Sequence, residues 1–252
     1  MEQEEAAHEG PLAQFTIKRL IDLPDIFGVD ADFTNAALFM LISVVAITWF
    51  MMAATRGGNL VPGRLQSLAE AAYGLIASAL RDNVGPEGKQ YFPFIFSLFM
   101  FILFANFIGL IPVPGSFTVT SHIIVTFALA FFIFLAVTVI GLWRHKLHFF
   151  SLFLPHGVPI YLAPLLVPIE IIGYLTRPIS LSVLLDANIL AGHTMLEVFA
   201  GFVIALGIFG FAPFLFVVAI YGLEVIVAFL QAYVFAVLTC LYLSDAINLH
   251  KH

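Results

Sequence analysis

Long apolar runs, broken at intervals by proline, glycine and short charged clusters, set the pattern of this chain. Residues 33–55 hold no Asp, Glu, Lys or Arg. A membrane-crossing helix needs about 20 mostly apolar residues, so this run predicts one span. Residues 90–143 are again free of those four residue types. That run is too long for one helix, and Pro112, Pro114 and Gly115 divide it into a hairpin of two spans. Residues 147–169 are interrupted by Pro155, Pro159, Pro164 and Pro168, which predicts an irregular or re-entrant connection. Residues 198–223 and 225–244 predict a final hairpin with its bend at Pro213.

Residues 64–83 follow a different rule. Leu65, Leu68, Ala72, Leu75, Ile76 and Ala79 recur near helical spacing, with Arg64, Gln66, Glu70, Arg81 and Asp82 among them. That alternation predicts an amphipathic helix lying at the membrane interface; a short soluble helix between spans is the plainer reading. The fold class expected is therefore all-α and polytopic, with about five crossings plus one interfacial helix. The chain reads as a single membrane domain over 1–252, with an acidic outer tail at 1–32 and two long tilted helices at 165–197 and 200–247.

Composition narrows the environment. The chain is 62% hydrophobic and only 10% charged, with 28 phenylalanines among its 252 residues; soluble domains carry about 25% charged residues. The net charge of −6 owes much to Glu2, Glu4, Glu5 and Glu9, and a basic groove for nucleic acid is absent from the sequence. Cys240 is the single cysteine, so no disulfide framework is available. The acidic start lacks the basic segment of a secretory leader. Arg56, Arg64, Arg81 and Lys89 fall between the first two spans, and Arg144 and Lys146 follow the third. By the positive-inside rule these face the cytoplasm, which sets the N-terminus outside and the C-terminus inside.

The chemistry lies in residues 170–197, where Glu170, Arg177, Asp186, His193 and Glu197 interrupt apolar sequence. A helix of that length runs roughly 42 Å, against a hydrocarbon core of about 30 Å. Each charge at a helix centre costs about 2.5–3.5 kcal/mol on insertion scales, while each Leu, Ile, Val or Phe returns only about 0.3–0.6 kcal/mol. These groups must face protein, water or one another. At about 100° per residue, with Leu184 at zero, Arg177 falls at about 20°, and Glu170 and Asn188 at about 40°. His193, Asp186 and Glu197 fall at about 180°, 200° and 220° on the opposite side. On the last helix, Glu224, Gln231 and Tyr242 share one stripe. Two polar faces suit a helix that separates two aqueous or polar compartments; interhelical hydrogen bonding for packing alone is the bland alternative.

The run Arg177-Pro178-Ile179-Ser180-Leu181-Ser182 leading to Ala187-Asn188-Ile189-Leu190-Ala191-Gly192-His193 resembles the signature of F-type ATP synthase subunit a. Phe229-Leu230-Gln231-Ala232-Tyr233-Val234-Phe235 and Asn106-Phe107-Ile108-Gly109-Leu110-Ile111-Pro112 resemble two further family motifs, in alphaproteobacterial and mitochondrial wording. The resemblance implies a stator subunit of the bacterial inner membrane whose two long helices face a rotating ring of c subunits. Peripheral-stalk b subunits, other synthase subunits and lipid are the remaining expected partners. Protons would use two half-channels, with His193 and Glu224 as the polar pair of the inlet. Asn188 and Gln231 would be the amides near the ring, Glu170 the acid of the other half-channel, and Arg177 a basic position of the family. Imidazole and carboxylate can exchange protons near neutral pH. No cofactor is implied.

One departure stands out. Where the family places an arginine four residues before the asparagine, this chain has Leu184, and Asp186 stands where an aromatic is usual. An arginine about 4 Å from a ring carboxylate would favour its ionised form by about 4 kcal/mol, and leucine supplies no such attraction. Three readings stay open: a residue that differs from the native one, a divergent subunit in which Arg177 substitutes, or a chain that does not couple proton flow to rotation.

Other features carry less. His122, His145, His148 and His156 sit at helix ends or in the proline-rich connection rather than as facing haem ligands. No phosphate-binding glycine loop occurs, so nucleotide chemistry is expected in another subunit. The absence of G-x-S-x-G and H-E-x-x-H weakens an intramembrane hydrolase. A secondary transporter would show paired repeats with broken helices in both halves. That transporter and an intramembrane acid–base enzyme using His193 with Asp186 or Glu197 are the alternatives.

Overall fold

The computed structural model describes residues 19–21, 33–56, 62–111, 123–146, 149, 153 and 160–248. Within them the chain is all-α apart from one small ladder, where β1 (Arg19–Ile21) pairs antiparallel with β2 (Phe33–Thr34). Six helices follow: α1 (Asn35–Thr55), α2 (Arg64–Asn83), α3 (Phe92–Gly109), α4 (Ile123–His145), α5 (Ala163–Leu206) and α6 (Phe211–Ile247). Among the described residues four stretches are long and apolar enough to cross a membrane, and the last of them, Pro164–Ile247, takes in nearly all of α5 and the whole of α6. The protein is a polytopic helical membrane protein. Its helices satisfy their backbone groups internally, which the bilayer requires.

Local chemistry explains several helix ends. Thr34 is extended and its hydroxyl accepts the amide hydrogen of Ala37, an N-cap for α1. The amphipathic segment forms α2 as its periodicity predicts, burying Ala69, Ile76, Ala79 and Leu80. Gly85 then takes φ +85, a left-handed conformation that ends the run cleanly. The Asn248 side chain donates to the freed carbonyl of Val84 at 3.2 Å. Pro86–Tyr91 forms a 3-10 turn leading into α3.

Three expectations need correction. The helix placed at 165–197 extends from Ala163 to Leu206 and contains Pro168 and Pro178. Membrane helices tolerate internal proline because side chains and neighbours satisfy the freed groups. Residues 163–169, read as irregular from their prolines, are helical, and Pro164 sits in the first turn, where its missing N–H is no loss. The final bend lies at Gly207–Gly210, not at Pro213. Gly207 adopts φ +55, and a Cβ on Gly210 would strike the Val203 carbonyl, so the two glycines make the turn. Pro213 falls in the first turn of α6. The expected break at Pro112, Pro114 and Gly115 lies outside the described residues, as do residues 154–159 with their two prolines.

The chain divides into two compact units. The first takes Met1–Leu60, Met100–His122 and Leu185–Ala232. Its interior holds Met100, Ile102, Ala105, Leu185, Ile189, Ala228 and Ala232, and Phe50 meets Phe104 at 5.6 Å between ring centroids. The second takes Val61–Phe99, Ile123–Leu184 and Tyr233–His252. There Ile76, Ile95, Phe99, Ile133, Leu181, Phe235 and Leu243 are fully or nearly fully buried.

Candidate functional site

In the first unit, polar side chains of α3, α5 and α6 gather around one small cavity. It measures about 20 Å³ and is walled by Asn106, Asn188, His193 and Glu224, with Ile189 and Ala228 among its apolar lining. A space of that size admits a single water molecule. A wider cleft of about 260 Å³ is also lined by His193 and Glu224, together with Glu197 and Tyr221. His193 and Glu224 are thus the ionisable side chains common to both spaces.

Glu224 is buried, and both its carboxyl oxygens lack a hydrogen-bond partner. Leaving a buried polar group unsatisfied costs about 1–3 kcal/mol, and such groups inside a membrane mark proton or ion routes by default. Gly192 makes the arrangement possible. A Cβ there would overlap Glu224 Oε1 and lie 3.0 Å from its Cδ, so only glycine lets the carboxyl rest against α5. Close by, Asn188 donates to Gln231 Oε1 at 3.2 Å, while Gln231 Nε2 is buried and unpaired. Asn106 donates to the Ala228 carbonyl at 3.2 Å, and the Tyr221 hydroxyl donates to the Leu110 carbonyl at 3.1 Å. These bonds hold α3 against α6 beside the cavity. Asp186 and Glu197 are partly buried, each with one unpartnered oxygen.

The wheel separated Asn188 from His193, yet both wall the same cavity. Ile189 lies between them around the helix and supplies the lining in between. Leu184 is 43% exposed.

The second unit holds a different cluster. Arg177 pairs with Asp245 at 2.8 Å, with the two side chains 24% and 29% exposed. Its guanidinium also lies 5.1 Å from the Tyr174 ring centroid and 4.8 Å from that of Tyr242. Tyr174 shares a 2.6 Å hydrogen bond with Thr138 of α4. Arg177 Nη1 is buried without a hydrogen bond. The arginine's charge is therefore already matched within its own unit. Glu170 is exposed, with no hydrogen bond or ion pair among the described residues. His145 bonds the Ile247 carbonyl at 3.0 Å, an anchor for the end of α6. His122, His148 and His156 lie outside the described residues. Among the described residues no three His, Cys, Asp or Glu side chains cluster as a metal site would require.

Sequence reasoning gave no role to Asn106, Tyr221, Asp245 or Tyr174. Asn106 was the most findable, as an amide inside a long uncharged run. Asp245 sits near the C-terminus, and nothing in its local sequence points to Arg177.

The fold and site define a polytopic helical membrane protein with a buried acid, an imidazole and paired amides on two long helices, groups that membrane proteins keep where ions or protons pass. The profile of the family described as ATP synthase A chain matches residues 37–244. A protein from Pelagibacter ubique named ATP synthase subunit a is 54% identical over 241 residues, 95% of this chain and 98% of that one. The same name and identity hold for Rhodospirillum rubrum, covering 95% of this chain and 99% of the relative. A Parvibaculum lavamentivorans protein of that name is 55% identical over 245 residues, 94% of this chain and 93% of the relative. The chain belongs to the ATP synthase A chain family.

Proposed function

We propose that this chain is the stator channel of an F-type ATP synthase in a bacterial inner membrane, passing protons through two half-channels beside a ring of c subunits. Nucleotide chemistry then belongs to other subunits, and this chain performs no catalysis of its own. The observation that carries the reading is the pair His193 and Glu224, which line both the small cavity and the wider cleft of the first unit. A proton arriving by the wider cleft would meet a carboxyl and an imidazole at the wall of a one-water cavity that Asn188 also lines. Asn188 is solvent-exposed while bonded to Gln231. An exposed amide flanked by exposed Ala187 and Ala191 is poorly suited to lipid, and small residues permit close helix approach. This strip is where the ring would pass, with its carboxylates facing the amides. The peripheral-stalk b subunits are the second expected partner; Glu170 is assigned to the other half-channel, and Arg177 is kept as a basic position of the family.

His193→Ala and Glu224→Ala should each slow ATP-driven proton pumping by roughly a hundredfold or more, the scale of a lost acid–base group. Inverted membrane vesicles with a pH-sensitive dye give the rate. Unchanged pumping in both variants would remove the half-channel assignment.

A further inference from the structure

A groove of about 630 Å³ lies in the second unit where α2, the 3-10 turn and the start of α3 meet. Tyr73, Leu80 and Phe92 give it apolar walls, and Arg81 and Lys89 line it with positive charge. The turn at Gly85 returns the chain beside α2, with the Gly85 amide bonded to the Arg81 carbonyl at 3.1 Å. Gly88 is buried against Val84 and Leu80, which leaves no space for a side chain there and fixes the segment that carries Lys89. Among the described residues neither Arg81 nor Lys89 forms an ion pair. The nearby carboxylate of Glu87 is taken by Arg144, and Asp82 does not line the groove.

The groove's level in the membrane has its own markers. A neighbouring groove is lined by Tyr91, Trp143 and Arg144, and Trp143 is 87% exposed. Tryptophan and tyrosine beside arginine are the side chains of the membrane–water interface. Amphipathic α2 ends at the same place. Two unmatched cations at the headgroup level above an aromatic wall fit one chemistry, an anion carrying hydrocarbon chains. Basic pockets on the cytoplasmic side between membrane helices bind such headgroups, and the Lys and Arg placement puts this segment on that side.

We propose that this groove binds an anionic phospholipid, with Arg81 and Lys89 on its phosphate and Tyr73, Leu80 and Phe92 against the upper part of its acyl chains.

The test uses the whole synthase complex in detergent, with bound lipid read by native mass spectrometry after equilibration with phosphatidylglycerol or phosphatidylcholine of the same chains. The parent should retain phosphatidylglycerol in preference to phosphatidylcholine. Arg81→Gln and Lys89→Gln should each lower phosphatidylglycerol retention about fivefold, and the double variant about thirtyfold, the scale of one and two interfacial cations. A charge-keeping pair, Arg81→Lys with Lys89→Arg, should retain the lipid, which separates lost charge from lost folding. Equal retention of the two lipids by the parent would overturn the proposal. So would undiminished phosphatidylglycerol in the single Gln variants. Loss of a stalk subunit with lipid retention unchanged would assign the groove to a protein instead. The change in retention between parent and Arg81 or Lys89 variants reads on this groove, whatever the pumping assay gives for His193 and Glu224.

Discussion

Gly192 decides where the Glu224 carboxyl can be, because any side chain at that position enters the space the carboxyl occupies. The atoms in the way belong to the tip of a flexible side chain, so the helices need not part to accommodate a methyl group. Gly192→Ala should therefore leave the complex assembled and displace the carboxyl from the cavity wall. Proton pumping in inverted vesicles should fall severalfold, while copurification of the other subunits stays at the parent level. Parent-like pumping would mean that Glu224 works from more than one position. At this scale the sequence was half legible. Polar residues in apolar runs named Glu224, Gln231, Asn188 and His193, since the membrane makes each of them expensive. Gly192 was visible only as part of a motif, because a glycine's reason is the neighbour that a Cβ would hit.

At the scale of elements, α5 runs through two internal prolines, Pro168 and Pro178, and packs its polar positions against α6. The stripe Glu224, Gln231 and Tyr242 read from the sequence turns out to be a contact face. In the first unit Glu224 lies on Gly192 and Gln231 on Asn188; in the second, Tyr242 stacks on Arg177. Asp245 completes that last contact with an ion pair. Cation–π contacts contribute about 0.5–2 kcal/mol, and removing one member of a largely enclosed pair leaves the other charge unmatched. Arg177→Ala and Asp245→Ala should each lower the thermal midpoint of the detergent-solubilised complex. The double variant should fall no further than the worse single one, a coupling of about 1–3 kcal/mol. Additive losses would show that the pair is incidental. Periodicity placed α2 well, because an amphipathic stripe is a local signal. The turn at Gly207–Gly210 was missed because proline is the louder punctuation, although Pro213 fits comfortably in a helix's first turn.

For the whole molecule, the proposed ring contact raises the question of where its positive charge would come from. Arg177 is a poor source, since Asp245 lies 2.8 Å away and two tyrosine rings enclose the guanidinium. Leu184 is 43% exposed and stands where the resemblance read from the sequence would place an arginine. An arginine introduced there would lose about 2.5–3.5 kcal/mol if it met lipid. Facing a carboxylate at about 4 Å, it would gain about 4 kcal/mol. The sign of the outcome therefore reports what passes this surface. If a c-ring does, Leu184→Arg should raise proton-driven ATP synthesis in inverted vesicles severalfold and reduce passive proton leak, because the new charge holds ring carboxylates ionised as they change half-channels. If lipid covers the surface, the variant should insert less well and synthesis should not rise. A parent chain that already synthesises ATP at the full coupled rate would place the required cation outside this position, on another subunit or on an arginine released from Asp245 during rotation.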